Sequence, residues 1–305
     1  MTASPPLIAA IEAGGTKFNV ALGAGPDDLR ATARIPTTTP GETLGAVITW
    51  LEKAAQEFGP FAAIGLGAFG PLGLDPASPQ YGYITSSPKL AWQHTDMIGP
   101  LRARFRVPVG FDTDVNAAAL GEARWGAGQG IDSLVYLTVG TGVGGGAIIH
   151  GRPLHGLLHP EMGHLSVPAP ATPGTVDARC QCPFHDSCLE GFVSGPAIAA
   201  RWGAGAETLP AGHPAWQDAA ETLAAGIVSI ITILSPRRII LGGGVMHGLL
   251  MLDLVRAAVP QRLNGYLQIP ALLENIDQYL VAPGLGDRAG VLGAIALGRQ
   301  ALEVG

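Results

Sequence analysis

The stretch LVYLTVGTGVGGGAII (134–149) decides the fold. Leu134–Val139 is a short apolar run, Gly140-Thr141-Gly142 breaks it, and Gly144–Ile149 resumes it, which reads as strand, bend and returning strand. The same layout stands about 126 positions earlier: Leu7–Glu12, the bend Gly14-Gly15-Thr16-Lys17, then Phe18–Leu22. A doubled hairpin of this kind implies two similar halves with a cleft between them, and closure of that cleft is the natural conformational step. Outward from the hairpins, strands are expected at Ala31–Ile35, Ala62–Leu66, Val107–Phe111 and Arg238–Leu241. Helices are expected at Thr43–Phe58, Thr95–Phe105, Asp114–Trp125, Pro214–Leu234, Val245–Leu263 and Arg288–Ala301. Strands alternating with helices give an α/β class.

Composition narrows the function. The 305 residues are 47% hydrophobic and 14% charged, enough to bury a sizeable core. The net charge of −6 argues against a nucleic-acid partner, which wants a basic face. No run reaches the ~18 apolar residues of a membrane span, and Met1–Pro6 lacks the pattern of a signal peptide, so a cytoplasmic protein without membrane attachment is expected. The 44 glycines follow no collagen period, which puts them in tight turns or where a backbone approaches another group closely.

Four motifs carry chemistry. Each Gly/Thr bend is, taken alone, a tight hairpin turn; two in matching places, each with Thr beside Gly, point to arrays of backbone N–H groups that bind phosphate. Gly242-Gly243-Gly244 ends one strand and opens a helix, either as a simple turn or as a glycine surface for a nucleotide. Phe111-Asp112-Thr113-Asp114 joins a strand to a helix, where α/β folds place chemistry. Asp114 is expected to act as the base that accepts a hydroxyl proton, and Asp112 to be structural. All three cysteines, Cys180, Cys182 and Cys188, fall within nine residues. Cys182-x-x-His185-x-x-Cys188 supplies three ligands at short spacing, His164 can supply a fourth, and two thiolates with two imidazoles suit tetrahedral zinc. Cys180 adds one donor more than four, so the set stays open at this point. The loop Pro168–Asp177 leads into the cluster, and a closed site there would bring Glu161, His164 and Glu190 together, a set able to hydrogen-bond sugar hydroxyls.

With these residues in view the chain resembles the ROK sugar kinases, and within them the bacterial zinc-containing fructokinases. The matching stretches are IEAGGTKF (11–18), GAFGPL (67–72), SSPKLAWQHTD (86–96), FDTDVNAAALGEA (111–123), TVGTGVGGG (138–146), HPEMGH (159–164), CPFHDSCLEGFVSGPAI (182–198) and LGGGVM (241–246). The resemblance implies an α/β fold like that of actin and hexokinase, with an N-terminal domain over 1–114, closed by the helix at 288–305, and a larger domain over 115–287. It implies ATP, Mg2+ and Zn2+, transfer to the 6-hydroxyl of D-fructose, and a homodimer. By motif, Asp114 is the catalytic base. Gly14, Gly15, Thr16, Lys17, Thr141, Gly142, Pro196, Gly242, Gly243, Gly244, Val245 and Met246 meet the nucleotide. Gly70, Pro71, Thr113, Asp114, Glu161, His164 and Glu190 meet the sugar. His164, Cys182, His185 and Cys188 hold zinc. Glu12 and Thr113, where many members carry Asp and Asn, and the intervening His185, are features of the fructokinase branch. The competing readings are a glucose or mannose kinase, a sugar-responsive repressor, for which the expected first strand at Leu7 leaves no helix-turn-helix ahead of it, and a sugar sensor without catalysis.

Overall fold

The computed structural model describes residues 5–170, 172–248 and 250–304; most of the leader reading at Met1–Pro6 lies outside them. In chain order the elements are β1 (Ile8–Ala13), β2 (Lys17–Gly25), β3 (Asp28–Pro36), α1 (Pro40–Phe58), β4 (Ala63–Ala68), β5 (Tyr83–Ile84), β6 (Thr95–Asp96), α2 (Gly99–Phe105), β7 (Val109–Thr113) and α3 (Asp114–Trp125). There follow β8 (Leu134–Val139), β9 (Val143–Ile149), β10 (Arg152–Pro153), α4 (Glu190–Val193), α5 (Gly195–Trp202), α6 (Pro214–Leu234), β11 (Arg238–Gly242), α7 (Met251–Leu263), α8 (Pro270–Leu273), α9 (Ile276–Tyr279), β12 (Leu280–Val281) and α10 (Ala289–Val304).

The chain forms two compact units, the first from 5–129, Pro153–His159 and 287–304, the second from Gly130–Arg152 and Pro160–Gly286. The first holds a sheet in the order β3-β2-β1-β4-β7 and the second a sheet in the order β10-β9-β8-β11-β12. In each, an antiparallel hairpin (β1/β2, β8/β9) is followed by strands added parallel to its first member. The broken apolar runs at 7–22 and 134–149 are thus the same sheet topology made twice. The strands β1, β4 and β8 are buried almost throughout, as expected of strands covered on both faces.

The first unit runs to Gln129, beyond the boundary at Asp114 that the motifs suggest. Small residues explain this. A Cβ on Gly293 of α10 would come within 1.7 Å of the Ala117 carbonyl oxygen of α3, so the two helix backbones touch. α3 and α10 therefore pack together within the first unit.

Two helix boundaries differ from expectation. Thr95–Asp96 pairs with Tyr83–Ile84, and the Asp96 carboxylate accepts from the N–H groups of Ile98 and Gly99, so α2 starts only at Gly99. Over Val245–Leu263, residues Gly244–His247 form one 3-10 turn and the α-helix begins at Met251; Leu249 lies outside the described residues. Gly248 is pressed against the Trp216 ring, where a Cβ would come within 3.1 Å, and the chain breaks direction there. α6 is long and apolar enough to cross a membrane, yet Ala219, Ala220, Leu223, Ile227 and Ile230 bury it in its own unit.

Candidate active site and metal centre

In the first unit the bend between β1 and β2 is closed by Gly14 N–H donating to the Lys17 carbonyl at 3.0 Å, and Thr37 Oγ1 donates to Gly14 O at 2.8 Å. Among the described residues the amides of the two corner residues, Gly15 and Thr16, close no hydrogen bond, and Thr16 and Lys17 are exposed. Lys89 lies across this bend: a Cβ on Gly15 would sit 2.9 Å from its Cε. Nothing in the sequence brings residue 89 to residue 15, so the motif SSPKLAWQHTD alone does not disclose this cation.

Asp114 is the first residue of α3, capped by the buried Thr113, whose Oγ1 accepts from Asn116 N–H at 3.0 Å. The Asp114 carboxyl is pushed up to about 6, first by burial and then by the negative charge of Glu12. Burial also raises Glu12, which Asn19 Nδ2 holds at 2.8 Å. The start of α10 covers it: a Cβ on Gly290 would lie 2.4 Å from its Oε1. Glu12 thus lies close enough to oppose the ionisation of Asp114. Asp112, by contrast, is spent inside the unit. Its Oδ1 accepts from Thr113 N–H and Asn116 Nδ2, both at 2.7 Å, and its Oδ2 pairs with His155 Nε2 at 3.0 Å, raising His155. The expected structural role for Asp112 follows from those bonds. Gly70 and Pro71 lie in a loop anchored by His159, whose Nε2 accepts from Leu72 N–H at 3.1 Å.

In the second unit Gly140, Thr141 and Gly142 turn β8 into β9, with Gly140 N–H donating to Gly142 O at 2.8 Å. A cavity of about 660 Å³ opens beside this bend. Thr141, Pro196, Gly244 and Val245 line it, as does Gly195 at the start of α5. Gly242 and Gly243 do not. Gly242 is covered by the Tyr136 hydroxyl and Pro283, while Gly243, at φ +92°, packs on the Val139 backbone where a Cβ would come within 2.4 Å of its carbonyl. They shape the turn that presents Gly244. The far wall is Leu209, Trp216 and His247, which the sequence did not disclose: they come from three separated segments with no shared motif.

Glu190 opens α4, and its Oε2 accepts from Val143 N–H at 2.9 Å. Glu161 stands exposed just before the 3-10 turn Met162–His164. That turn and the cysteine loop bring His164, Cys182, His185 and Cys188 together, with their ligand atoms all within 4.8 Å of one another. Cys182 Sγ lies 3.3 Å from His185 Nδ1 and 3.8 Å from His164 Nδ1, and Cys188 Sγ lies 3.8 Å from His164 Nδ1. A tetrahedral ion with bonds of about 2.3 Å to sulfur and about 2.05 Å to nitrogen holds such pairs about 3.6 Å apart. The group therefore fits one metal ion. Cys180 stays outside the group and packs against Gly191, where a Cβ would come within 2.0 Å of its sulfur. Burial, with the sulfurs of Cys182 and Cys180 adding to it, pushes the Cys188 thiol up to about 12.

The family model described as the ROK family matches residues 8–301. A fructokinase of Zymomonas mobilis is 45% identical over 293 residues, 94% of each chain. Among solved structures, the ROK hexokinase of Thermus thermophilus matches with a TM-score of 0.76 and 27% identity, covering 98% of this chain and 100% of that one. A ROK family glucokinase from Streptomyces griseus, solved with glucose and AMPPNP, matches with a TM-score of 0.74 and 26% identity over 96% of this chain and 99% of that one. The chain belongs to the ROK family, and its fold is that of the actin-like sugar kinases.

Proposed function

We propose that the protein is an ATP-dependent hexose kinase that converts D-fructose to fructose 6-phosphate. The observation that carries this reading is Asp114: a carboxylate at a strand-to-helix junction, raised to about 6 by burial and by Glu12, hence mostly ionised at neutral pH yet able to take a proton. Asp114 accepts the proton of the 6-hydroxyl as that oxygen attacks the γ-phosphorus of ATP and ADP leaves. The amides and Thr hydroxyls of the bends at Gly14–Lys17 and Thr141–Gly142 hold phosphate oxygens, and the 660 Å³ cavity takes the rest of the nucleotide against Pro196, Gly244 and Val245. Gly70, Pro71, Thr113, Glu161, His164 and Glu190 orient the sugar hydroxyls.

The carboxylates of Glu12 and Asp114 fit a nearby Mg2+, which would offset the negative charge of Glu12 felt by Asp114 and neutralise phosphate charge. Glu12, fixed by Asn19, would be one of the residues that hold it. The group His164, Cys182, His185 and Cys188 fits Zn2+ in a closed, structural site. With Nδ1 of His164 on the metal, its Nε2 remains for the sugar side. Fructose is favoured over glucose because the fructokinase relative is far more similar than the glucokinase structure. A homodimer in the cytoplasm is the assembly that the family resemblance supports, and light scattering on the purified protein tests it. Product analysis tests the reaction: 31P NMR after incubation with fructose, ATP and Mg2+ should show a phosphate ester on carbon 6, and unchanged ATP would refute it.

A further inference from the structure

The candidate metal ligands sit on two segments, and both segments press on one residue of the second bend. His164 closes the turn Met162–His164, and Gly163 within it lies so close to Val143 that a Cβ would come within 1.9 Å of the Val143 carbonyl oxygen. Cys188 stands two residues ahead of Glu190, which accepts from the Val143 N–H at 2.9 Å. Val143 is thus held at its carbonyl by one segment and at its amide by the other. An ion bound by His164 and Cys188 ties those two segments together. The same short run of chain also reaches the opposite end of the bend, where Gly195 N–H donates to the Gly140 carbonyl at 2.7 Å.

Residue 142 is glycine for a reason that this arrangement supplies. A Cβ there would stand 2.7 Å from Glu190 Oε2, inside any real contact distance, so a side chain would drive the carboxylate off Val143. A carboxylate is a poor neighbour for a triphosphate, so its place under the bend needs another explanation. The bond it accepts is that explanation: it is charge-assisted and occupies the Val143 N–H, which leaves the amides of Thr141 and Gly142 as the donors presented by the bend.

We infer that Glu190 is a positioning residue for the nucleotide phosphates, acting through Val143, in addition to its contact with sugar. One carboxylate oxygen is committed to Val143 and the other is left for a sugar hydroxyl, so a single side chain joins the metal-tied segments, the phosphate bend and the sugar. This rests on the hexose-kinase reading above, but the Mg-ADP titrations that decide it need no sugar.

The experiment is calorimetric titration of Mg-ADP into the purified, metal-loaded protein without sugar, for the wild type, Glu190→Ala, Glu190→Gln, Gly142→Ala and the Glu190→Ala/Gly142→Ala double variant. Loss of the bond in Glu190→Ala weakens Mg-ADP binding about tenfold, the scale of one hydrogen bond to a charged group. Glu190→Gln keeps an oxygen that accepts from Val143, so Mg-ADP binds within about twofold of wild type while the KM for fructose rises. Gly142→Ala weakens Mg-ADP alone and adds little to Glu190→Ala, because the collision partner is gone. Wild-type Mg-ADP affinity in Glu190→Ala, or additive losses in the double variant, overturns the inference and leaves Glu190 a sugar ligand only. A protein that binds Mg-ADP yet phosphorylates no hexose refutes the kinase reading, and the same titrations still decide the role of Glu190.

Discussion

Replacing Asp114 with Asn separates what this carboxylate does for the reaction from what it costs the fold. The two side chains have the same shape, and the Asn oxygen can keep the bond that Asp114 Oδ1 accepts from Val115 N–H at 2.9 Å. What disappears is the ability to ionise. For the reaction, kcat should fall by at least ~10²-fold, the contribution of a positioned base. In the wild type kcat/KM should fall tenfold per pH unit below about 6, where Asp114 becomes protonated. For the fold the sign is opposite. The carboxyl titrates near 3.8 when unfolded and at about 6 when folded, so the native state binds the proton more tightly and ionisation destabilises it as pH rises between those values. About two pKa units at ~1.4 kcal/mol each give an upper limit of ~3 kcal/mol. Asp114→Asn removes this cost, so the variant should be more stable than wild type above pH 7, by roughly half as much at pH 5, and no more stable below about pH 4. Scanning calorimetry at those three pH values reads the difference; several degrees at pH 8 is the expected size. A variant that keeps a tenth or more of wild-type kcat refutes Asp114 as the base. A stability gain that does not shrink with falling pH refutes the raised proton affinity of Asp114 in the folded state.

Three further outcomes follow from the same geometry. Elemental analysis should find one zinc per chain, and its removal by a strong chelator should lower the unfolding temperature as well as activity, because the metal ties the turn at His164 to the cysteine loop; metal-free native protein of full stability would contradict this. Lys89→Ala should raise the KM for Mg-ATP several-fold with little change in the KM for fructose, since its side chain lies over Gly15; initial-rate kinetics in both substrates separate the two. His159→Phe should raise the KM for fructose with little effect on Mg-ADP affinity, because Leu72 N–H loses its acceptor and the Gly70-Pro71 loop loosens; an unchanged fructose KM would remove His159 from any such role.

The parts of this molecule that sequence discloses are those fixed by neighbours in the chain. Leu134–Val139, Asp114–Trp125 and Pro214–Leu234 carry their own periodicity, caps and breakers, and they form as elements with those bounds. The two bends are visible because glycine and threonine interrupt apolar runs, and the metal ligands because thiols and imidazoles are rare and close together. What stays hidden depends on folding that brings distant residues together. Trp216, His247 and Leu209 meet at one cavity from separate segments. Lys89 reaches Gly15 across more than seventy residues of chain, and the partner of Glu190 is a backbone amide that any residue would offer. The start of α2 at Gly99 is set by Asp96, whose carboxylate accepts from the Ile98 and Gly99 N–H groups, a contact that the helical spacing of Thr95–Phe105 does not reveal. The exclusion of Cys180 from the metal group likewise depends on its packing against Gly191, which spacing alone does not reveal.

The central claim is the identity of the phosphorylated sugar, and competition tests it most directly. With fructose, glucose and mannose present together at equal concentration with Mg-ATP, the ratio of products equals the ratio of their kcat/KM values. The account predicts fructose 6-phosphate as the dominant product, lost in Asp114→Asn. Glucose 6-phosphate or mannose 6-phosphate in excess, or ADP formation without any sugar phosphate, would contradict it.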